Sequence, residues 1–290
     1  MAIDYDKLMS WPVPEVRHQY SARDTMLYAL SVGCGADPVD LGQLRYVYER
    51  DLQALPTYPV VLGYPGFWLK DEATGVDWVR VVHGEQGLRL HRPIPVVGEV
   101  IGRTRVTGIV DKGPGKGALI YQEREVSDAK SGVLLATLTA TTFCRGDGGF
   151  GGPAGPVMPP REMPQREPDM VCELRTIDQA ALFYRLNGDY NPLHADPTVA
   201  AAAGYPRPIL HGLCTFGVTG HAVLRTVCDY DASRLASIEA RFSSPVLPGE
   251  TIRTEIWVDG HTAAFRAKAV ERNVLVINNG WVELADPEAA

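Results

Sequence analysis

Residues 184–217 read YRLNGDYNPLHADPTVAAAAGYPRPILHGLCTFG and contain two short loops together with parts of three predicted helices. The helix before the first loop ends at Gly188, because glycine accepts the left-handed backbone conformation that closes many helices. A second helix begins after Asp196, which precedes Pro197 and therefore fits a helix N-cap. A third, mostly apolar helix covers residues 213–227 and suits the buried centre of a wrapped sheet.

The first loop carries residues suited to proton transfer. Asp189 and His194 lie five positions apart, with Asn191 between them to orient one of the pair or a water molecule. One of the pair can take a proton from water while the other gives one to carbon. Gly212 precedes the third helix, where unpaired N–H groups and the helix dipole favour a negatively charged oxygen such as that of an enolate. Asp and His also serve as turn residues, and His211 as a helix cap, so the pattern alone leaves a structural role open.

A segment rich in glycine and proline, residues 146–168, divides the chain into two nearly equal halves. A predicted helix stands near the start of each half, at residues 25–32 in the first and 180–187 in the second. The second helix follows Thr176 and Gln179, whose spacing predicts a capping box. The repeated order of a helix and then strands indicates an internal duplication.

Segments rich in Val, Ile, Thr and aromatic residues, with partial alternation, predict strands in both halves. They are residues 100–110, 118–126, 133–143, 251–258, 262–270 and 274–284. Helices followed by runs of strands predict an α+β fold in which helices pack on an antiparallel sheet. The predicted organisation is an N-terminal domain at 1–148, a linker at 149–168 and a C-terminal domain at 169–290.

The composition excludes several classes of protein. The 290 residues carry a formal net charge of -7, which argues against a general nucleic-acid binder. The five cysteines form no C-x-x-C pair, which favours a reducing compartment over a disulfide framework. The N-terminus does not read as a signal peptide, and no apolar run reaches the roughly 18 residues of a membrane span. We therefore expect a cytoplasmic protein without a membrane partner.

Two segments of the second half closely resemble the signature of the R-specific (type 2) enoyl-CoA hydratases, in the MaoC-like dehydratase family. They are NGDYNPLH at 187–194 and PILHGLCTFG at 208–217. Residues 23–30, 55–58 and 83–86 resemble the two-repeat members of this family. The resemblance implies a double hotdog fold, in which each half wraps an antiparallel sheet around a central helix. It also implies that the second half is catalytic and that the first half accommodates a bulky acyl chain.

The resemblance further implies roles for single residues. Asp189 and His194 become the catalytic pair, Asn191 supports them, and Gly212 supplies the oxyanion N–H. The expected reaction is reversible hydration of trans-2-enoyl-CoA to (3R)-3-hydroxyacyl-CoA, and which member of the pair acts as base toward water stays open. The family needs no metal or redox cofactor, since CoA is the carrier part of the substrate. A homodimer is expected on the same ground.

Further substrate contacts and alternative functions complete these expectations. Arg207 is a candidate for a CoA phosphate or for a solvated loop residue, and His211 and Tyr190 are candidates for substrate binding. Alternative functions are dehydration of 3-hydroxyacyl groups on acyl carrier protein, and a non-catalytic acyl-CoA-binding subunit of a hetero-oligomer. A thioesterase is disfavoured, because the loop matches that of hydratases.

Overall fold

The computed structural model describes residues 3–285, so the ends of the two predicted domains, residues 1–2 and 286–290, lie outside it. Within this range the strands are β1 (Val16–Tyr20), β2 (Val81–Leu90), β3 (Gly98–Asp111), β4 (Ala118–Asp128), β5 (Leu134–Cys144), β6 (Met170–Arg175), β7 (Leu235–Phe242), β8 (Thr251–Asp259), β9 (Thr262–Ala269) and β10 (Val274–Leu284). The α-helices are α1 (Tyr5–Met9), α2 (Ala22–Ser31), α3 (Leu41–Leu44), α4 (Ala180–Tyr184), α5 (Pro197–Ala202) and α6 (Gly212–Thr226).

The strands form one antiparallel sheet in the order β1-β3-β4-β5-β2-β7-β10-β9-β8-β6. Counted inward from its outer edge, each half therefore has the same order: its first, third, fourth, fifth and second strand. The halves join where β2 pairs with β7, from Glu85 opposite Arg241 to Arg89 opposite Ser237. This symmetry is what a duplicated unit would give. The six strands predicted from the sequence correspond to β3, β4, β5, β8, β9 and β10.

Helix α6 occupies the interior of the second half. All of its residues from Cys214 to Leu224 are buried, as expected for a helix that is apolar on every side. It approaches the first half closely at Gly217, because a Cβ atom there would lie 2.5 Å from the Cγ1 atom of Val32, just after α2. Only glycine permits this approach without displacing a neighbour. The first half carries a 3-10 turn, Tyr58–Val60, beside α2.

Of two helix caps predicted from the sequence, one is confirmed by the structure and the other is wrong. Asp196 caps α5 as predicted, and its carboxylate accepts a hydrogen bond from the Thr198 N–H at 2.8 Å. The predicted capping box between Thr176 and Gln179 is wrong, because the N-cap residue of α4 is Gln179 and not Thr176. The Thr176 hydroxyl instead donates to the Glu250 carbonyl at 2.8 Å and accepts from a backbone N–H of the same turn. It thus joins the end of β6 to the turn before β8.

The connection between the halves is attached to the sheet along its course. The Asp111 carboxylate accepts hydrogen bonds from the N–H groups of Gly149 and Gly151 at 2.7 and 2.8 Å. Farther along, the Arg161 guanidinium bonds to Glu239 at 2.7 Å and stacks 4.6 Å from the ring centre of Trp281. These contacts hold the connection against strands of both halves. The exact domain boundaries remain a prediction.

His221 links α6 to the surrounding structure from a position that is only 1% exposed. One ring nitrogen lies 3.2 Å from the Val32 carbonyl oxygen, and the other lies 3.2 Å from the Tyr230 hydroxyl. Burial lowers the pKa of His221 to about 4, so the ring is neutral at neutral pH. The unfolded chain, where a histidine has a pKa near 6.5, binds this proton at higher pH than the folded chain does.

We therefore expect the free energy of unfolding to fall as the pH drops from 6.5 toward 4. A His221→Gln variant lacks this contribution. When the pH is lowered from about 7.5 to about 5, its free energy of unfolding should therefore fall by about 2 kcal/mol less than that of the wild type. Chemical denaturation at several pH values measures the difference. His261→Gln, at an exposed position, serves as the control and should keep the wild-type pH dependence. Equal pH dependence in both variants would contradict the assignment.

Candidate active site

The loop before α5 begins with a change in chain direction at Gly188. The 3-10 turn Arg185–Asn187 ends there, and Gly188 has a φ of 111°, which a residue with a side chain rarely adopts. The change in direction places Asp189 next in a half-buried position. The carboxylate of Asp189 accepts a hydrogen bond from the Asn191 N–H at 3.2 Å.

Asn191 stabilises the second part of the loop through the backbone. Its side-chain oxygen accepts a hydrogen bond from the Leu193 N–H at 3.1 Å and so caps the 3-10 turn Pro192–His194. No hydrogen bond joins the Asn191 side chain to Asp189 or His194 within residues 3–285. The contribution of Asn191 to this geometry is therefore to fix the turn that presents His194.

His194 is 8% exposed and has a defined tautomer. Its Nδ1 atom lies 2.8 Å from the Ile209 carbonyl oxygen, and since a carbonyl only accepts, Nδ1 carries the hydrogen. Burial lowers the pKa of His194, against smaller opposing effects of the Ile209 carbonyl and the Asp189 charge. The neutral ring thus keeps a lone pair on Nε2, which can accept a proton.

His211 connects this loop to the start of α6. It is the N-cap residue of the helix, is 1% exposed, and stacks on His194 with ring centres 3.8 Å apart and planes 25° apart. Its Nε2 atom donates to the Asp189 backbone carbonyl at 3.2 Å. Burial, followed by the neighbouring His194, lowers the pKa of His211 to about 3. His211 is therefore a neutral residue that holds the Asp189 loop against α6.

Asp189, His194 and His211 bring ligand-type atoms within 4.8 Å of one another. Such a group is also a candidate for a metal ion. However, imidazole binds a metal in the plane of its ring, and two rings stacked 3.8 Å apart with planes inclined by only 25° are poorly placed to direct lone pairs at one ion. The geometry suits proton transfer better. That no metal is needed remains a prediction.

Gly212 begins α6 and adds a backbone N–H group to the residues described above. N–H groups in the first turn of a helix have no acceptor within the helix, and none is found for Gly212 among the described residues. The Phe242 ring flanks this position, 3.4 Å from where a Cβ atom would stand. The Gly212 N–H is thus available, close to His211, for an oxygen that gains negative charge.

Two predicted substrate contacts, Arg207 and Tyr190, are exposed. The Arg207 guanidinium donates to the Pro248 carbonyl at 2.9 Å, and its residue is exposed. Tyr190 is 59% exposed, with the Arg185 guanidinium 5.0 Å from its ring centre. The assignment of either residue to substrate binding remains a prediction.

The first half contributes three residues that the sequence did not indicate as site residues: Tyr64, His83 and Arg124, together called the first-half wall. Desolvation raises the pKa of Tyr64 to about 12 and lowers that of His83 to about 4, and the Asp189 charge adds to the first effect and opposes the second. Arg124 acts on the pKa of both. Tyr64 and His83 therefore lie near Asp189, and Arg124 lies beside Tyr64, with its guanidinium 5.5 Å from the ring centre. A fourth residue that was not predicted is Tyr184 of α4, which is fully buried. Burial raises its pKa, and the Asp189 charge adds to this effect.

Comparisons with known proteins agree with this arrangement. A family model described as MaoC like domain matches residues 159–280, and one described as MFE-2 hydratase 2 N-terminal domain matches residues 18–146. The Arabidopsis thaliana protein named Enoyl-CoA hydratase 2, peroxisomal, is 39% identical over 96% of this chain and 94% of its own. The chain belongs to the MaoC-like dehydratase family. It is accordingly a hydro-lyase.

Further comparisons support the same assignment. The Mycobacterium tuberculosis protein named 3-hydroxyacyl-thioester dehydratase Y is 40% identical to this dehydratase over 98% of the present chain and 99% of its own. The crystal structure of a MaoC-like dehydratase from Phytophthora capsici has a TM-score of 0.86 at 31% identity, covering 99% of this chain and 100% of its own.

The double hotdog fold expected from the resemblance is confirmed. A Mycobacterium tuberculosis protein described as having a double hotdog fold covers 98% of both chains with a TM-score of 0.55 at 17% identity, which concerns the fold alone. In residues 3–285 no helix has the length and apolar character needed to cross a membrane. The expected cytoplasmic location and homodimer remain predictions.

The capping geometry of Asn191 predicts how its variants behave. Asn191→Ala removes the acceptor for the Leu193 N–H, and losing a cap costs about 1 kcal/mol. If this cost falls on the productive loop conformation, kcat/KM for the hydro-lyase reaction drops roughly fivefold. Asn191→Ser keeps an acceptor and should recover most of the activity. A loss of roughly a hundredfold or more in both variants would instead mean that the amide acts on water or substrate directly.

Proposed function

We propose that this MaoC-like dehydratase catalyses the reversible hydration of trans-2-enoyl-CoA to (3R)-3-hydroxyacyl-CoA. The observation that carries the proposal is the convergence of Asp189 with the neutral His194 beside the buried start of α6. The names of the two curated relatives, an enoyl-CoA hydratase and a 3-hydroxyacyl-thioester dehydratase, support the substrate class. The R configuration rests on the resemblance of the loop to R-specific hydratases.

The proposed first step is the activation of the thioester. The Gly212 N–H donates a hydrogen bond to the thioester oxygen, and the dipole of α6 adds to its effect. Electron density is drawn from the C2–C3 double bond toward this oxygen, so C3 becomes electrophilic. Because the oxygen carries more negative charge in the enolate than in the substrate, this contact lowers the barrier.

In the second step a water molecule adds across the double bond. His194 Nε2 takes one proton from water as the oxygen forms its bond to C3. The second hydrogen stays on that oxygen and donates a hydrogen bond to the Asp189 carboxylate, whose charge also stabilises the imidazolium that forms. The protonated His194 then gives its proton to C2, and the enolate returns to a thioester. One hydrogen and one hydroxyl are added in all, and the reverse sequence is the dehydration.

Replacing either member of the pair should abolish most of this activity. Asp189→Asn and His194→Gln should each reduce kcat roughly 10²–10⁴-fold, because the first removes the charge that stabilises the imidazolium and the second removes the general base. The assay follows the loss of enoyl-thioester absorbance with crotonyl-CoA and with a long-chain enoyl-CoA, and an R- or S-specific dehydrogenase determines the configuration of the product. His261→Gln is the control, and thermal unfolding verifies the fold of each variant. Full activity in a folded variant would refute the catalytic roles of Asp189 and His194.

The protonation state of His194 predicts the acidic side of the pH profile. The base must be neutral, and burial lowers its pKa below the ordinary value of 6.5, so it stays neutral at lower pH than a free histidine. For hydration, kcat/KM should therefore be level as the pH falls through 6.5 and should decline only below it. Circular dichroism at each pH separates this decline from acid unfolding. A decline centred at or above 6.5 would show that His194 is not the base toward water.

A further inference from the structure

Arg124 is a buried cation without a carboxylate partner. It is 8% exposed and lies on β4. Its Nη2 atom donates to the Val60 carbonyl at 2.7 Å and, more weakly, to the Pro59 carbonyl at 3.4 Å. Its Nε atom is buried and has no acceptor, and no ion pair to Arg124 is found in residues 3–285. By contrast, Arg105 on neighbouring β3 is exposed and pairs with a glutamate at 2.5 Å.

This arrangement is costly for the ligand-free protein. A charge removed from water requires an opposite charge or several hydrogen bonds, and a cation that lacks them destabilises the fold. Burial lowers the pKa of Arg124 only to about 10, so it remains charged at neutral pH. The Tyr64 ring, 5.5 Å from the guanidinium centre, compensates in part through a cation–π contact. An anionic partner for Arg124 would complete the arrangement.

Other polar atoms around Arg124 are also without partners. Thr104 stands opposite it on β3, and the Thr104 hydroxyl is buried and unpaired. The His83 Nε2 and Tyr184 hydroxyl are unpaired in the same way. Buried polar atoms nearly always have hydrogen-bond partners, so a cluster of exceptions indicates a space that a polar ligand or water fills. A purely hydrocarbon acyl chain would leave all of these atoms unsatisfied.

Members of the cluster border the site. The Tyr184 ring lies 5.0 Å from the ring of His211 at the start of α6, and the Arg124 guanidinium lies 5.5 Å from the ring of Tyr64, whose pKa the Asp189 charge helps to raise. The His83 ring also lies 4.8 Å from the ring of Phe242, the residue beside Gly212. A chain that extends from C3 toward the first half therefore meets the first-half wall.

We propose that Arg124 binds a carboxylate carried by the acyl group, so that the enzyme prefers CoA thioesters of dicarboxylic acids to those of simple fatty acids. This inference rests on the proposed function, because it assigns the acyl substrate of the same site. The carboxylate would pair with the guanidinium and accept hydrogen bonds from neighbouring hydroxyl and imidazole groups.

The test compares two series of trans-2-enoyl-CoA substrates that differ only in a terminal carboxylate or methyl group, over several chain lengths. At the length that reaches Arg124, the wild type should favour the acidic substrate about tenfold or more in kcat/KM, as expected for a buried charge-assisted hydrogen bond. Arg124→Met should remove this preference, and Arg124→Lys should keep part of it. Arg105→Met is the matched control and should keep the wild-type preference and rate.

A binding measurement separates this inference from the proposed function. Calorimetry with the saturated acyl-CoA of each series, which cannot be hydrated, should show tighter binding of the acidic ligand to the wild type and equal binding to Arg124→Met. Hydration without any preference, and equal binding at every chain length, would overturn the role of Arg124 while leaving the proposed reaction intact. Preferential binding without hydration of any substrate would refute the reaction and retain the anion site. The preference of the wild type decides the inference even if a variant does not fold.

Discussion

The buried start of α6 is the constraint on which the site depends. Leu210 and His211 are almost fully buried where the helix begins, yet the first N–H groups of any helix have no acceptor within it. A helix that started at the surface would bind water there. Here the sheet wraps the helix, and the half-buried Gly212 N–H, which has no acceptor among the described residues, is available to a ligand oxygen. The two stacked histidines hold the 189–194 loop beside it, through the Asp189 and Ile209 carbonyls.

The sequence predicted the elements whose local pattern agrees with their environment. β3, β4, β5, β8, β9 and β10 alternate or are rich in β-branched residues, and α6 is mostly apolar. Three of the four missed strands, β1, β2 and β6, depart from this pattern for physical reasons. β1 and β6 are short edge strands, which need little apolar surface. β2 lies at the centre of the sheet, but it contains two glycines and the polar residues His83 and Gln86, because it borders the site.

The sequence predicted those site residues that lie in one loop and at the start of one helix. Asp189, His194 and Gly212 are close in the chain, so their proximity could be inferred from the loop and its caps. Tyr64 and His83 are far from them in sequence and come near Asp189 only because the two halves pair. A signal for Arg124 did exist, because it occupies an inward position of β4 between Gln122 and Val126. A charge at an inward position of a strand is uncommon and indicates a ligand or a partner.

The same burial gives the site its chemistry and limits its stability. The proposed reaction requires a neutral His194, and desolvation favours the neutral form by lowering its pKa. His211, stacked against it, is neutral for the same reason and so can hold the loop without competing for the proton. Each buried neutral histidine, however, binds its proton at a lower pH in the folded chain than in the unfolded chain. A fold that keeps an imidazole neutral by burial therefore loses stability in acid, because both effects follow from the same lowered pKa.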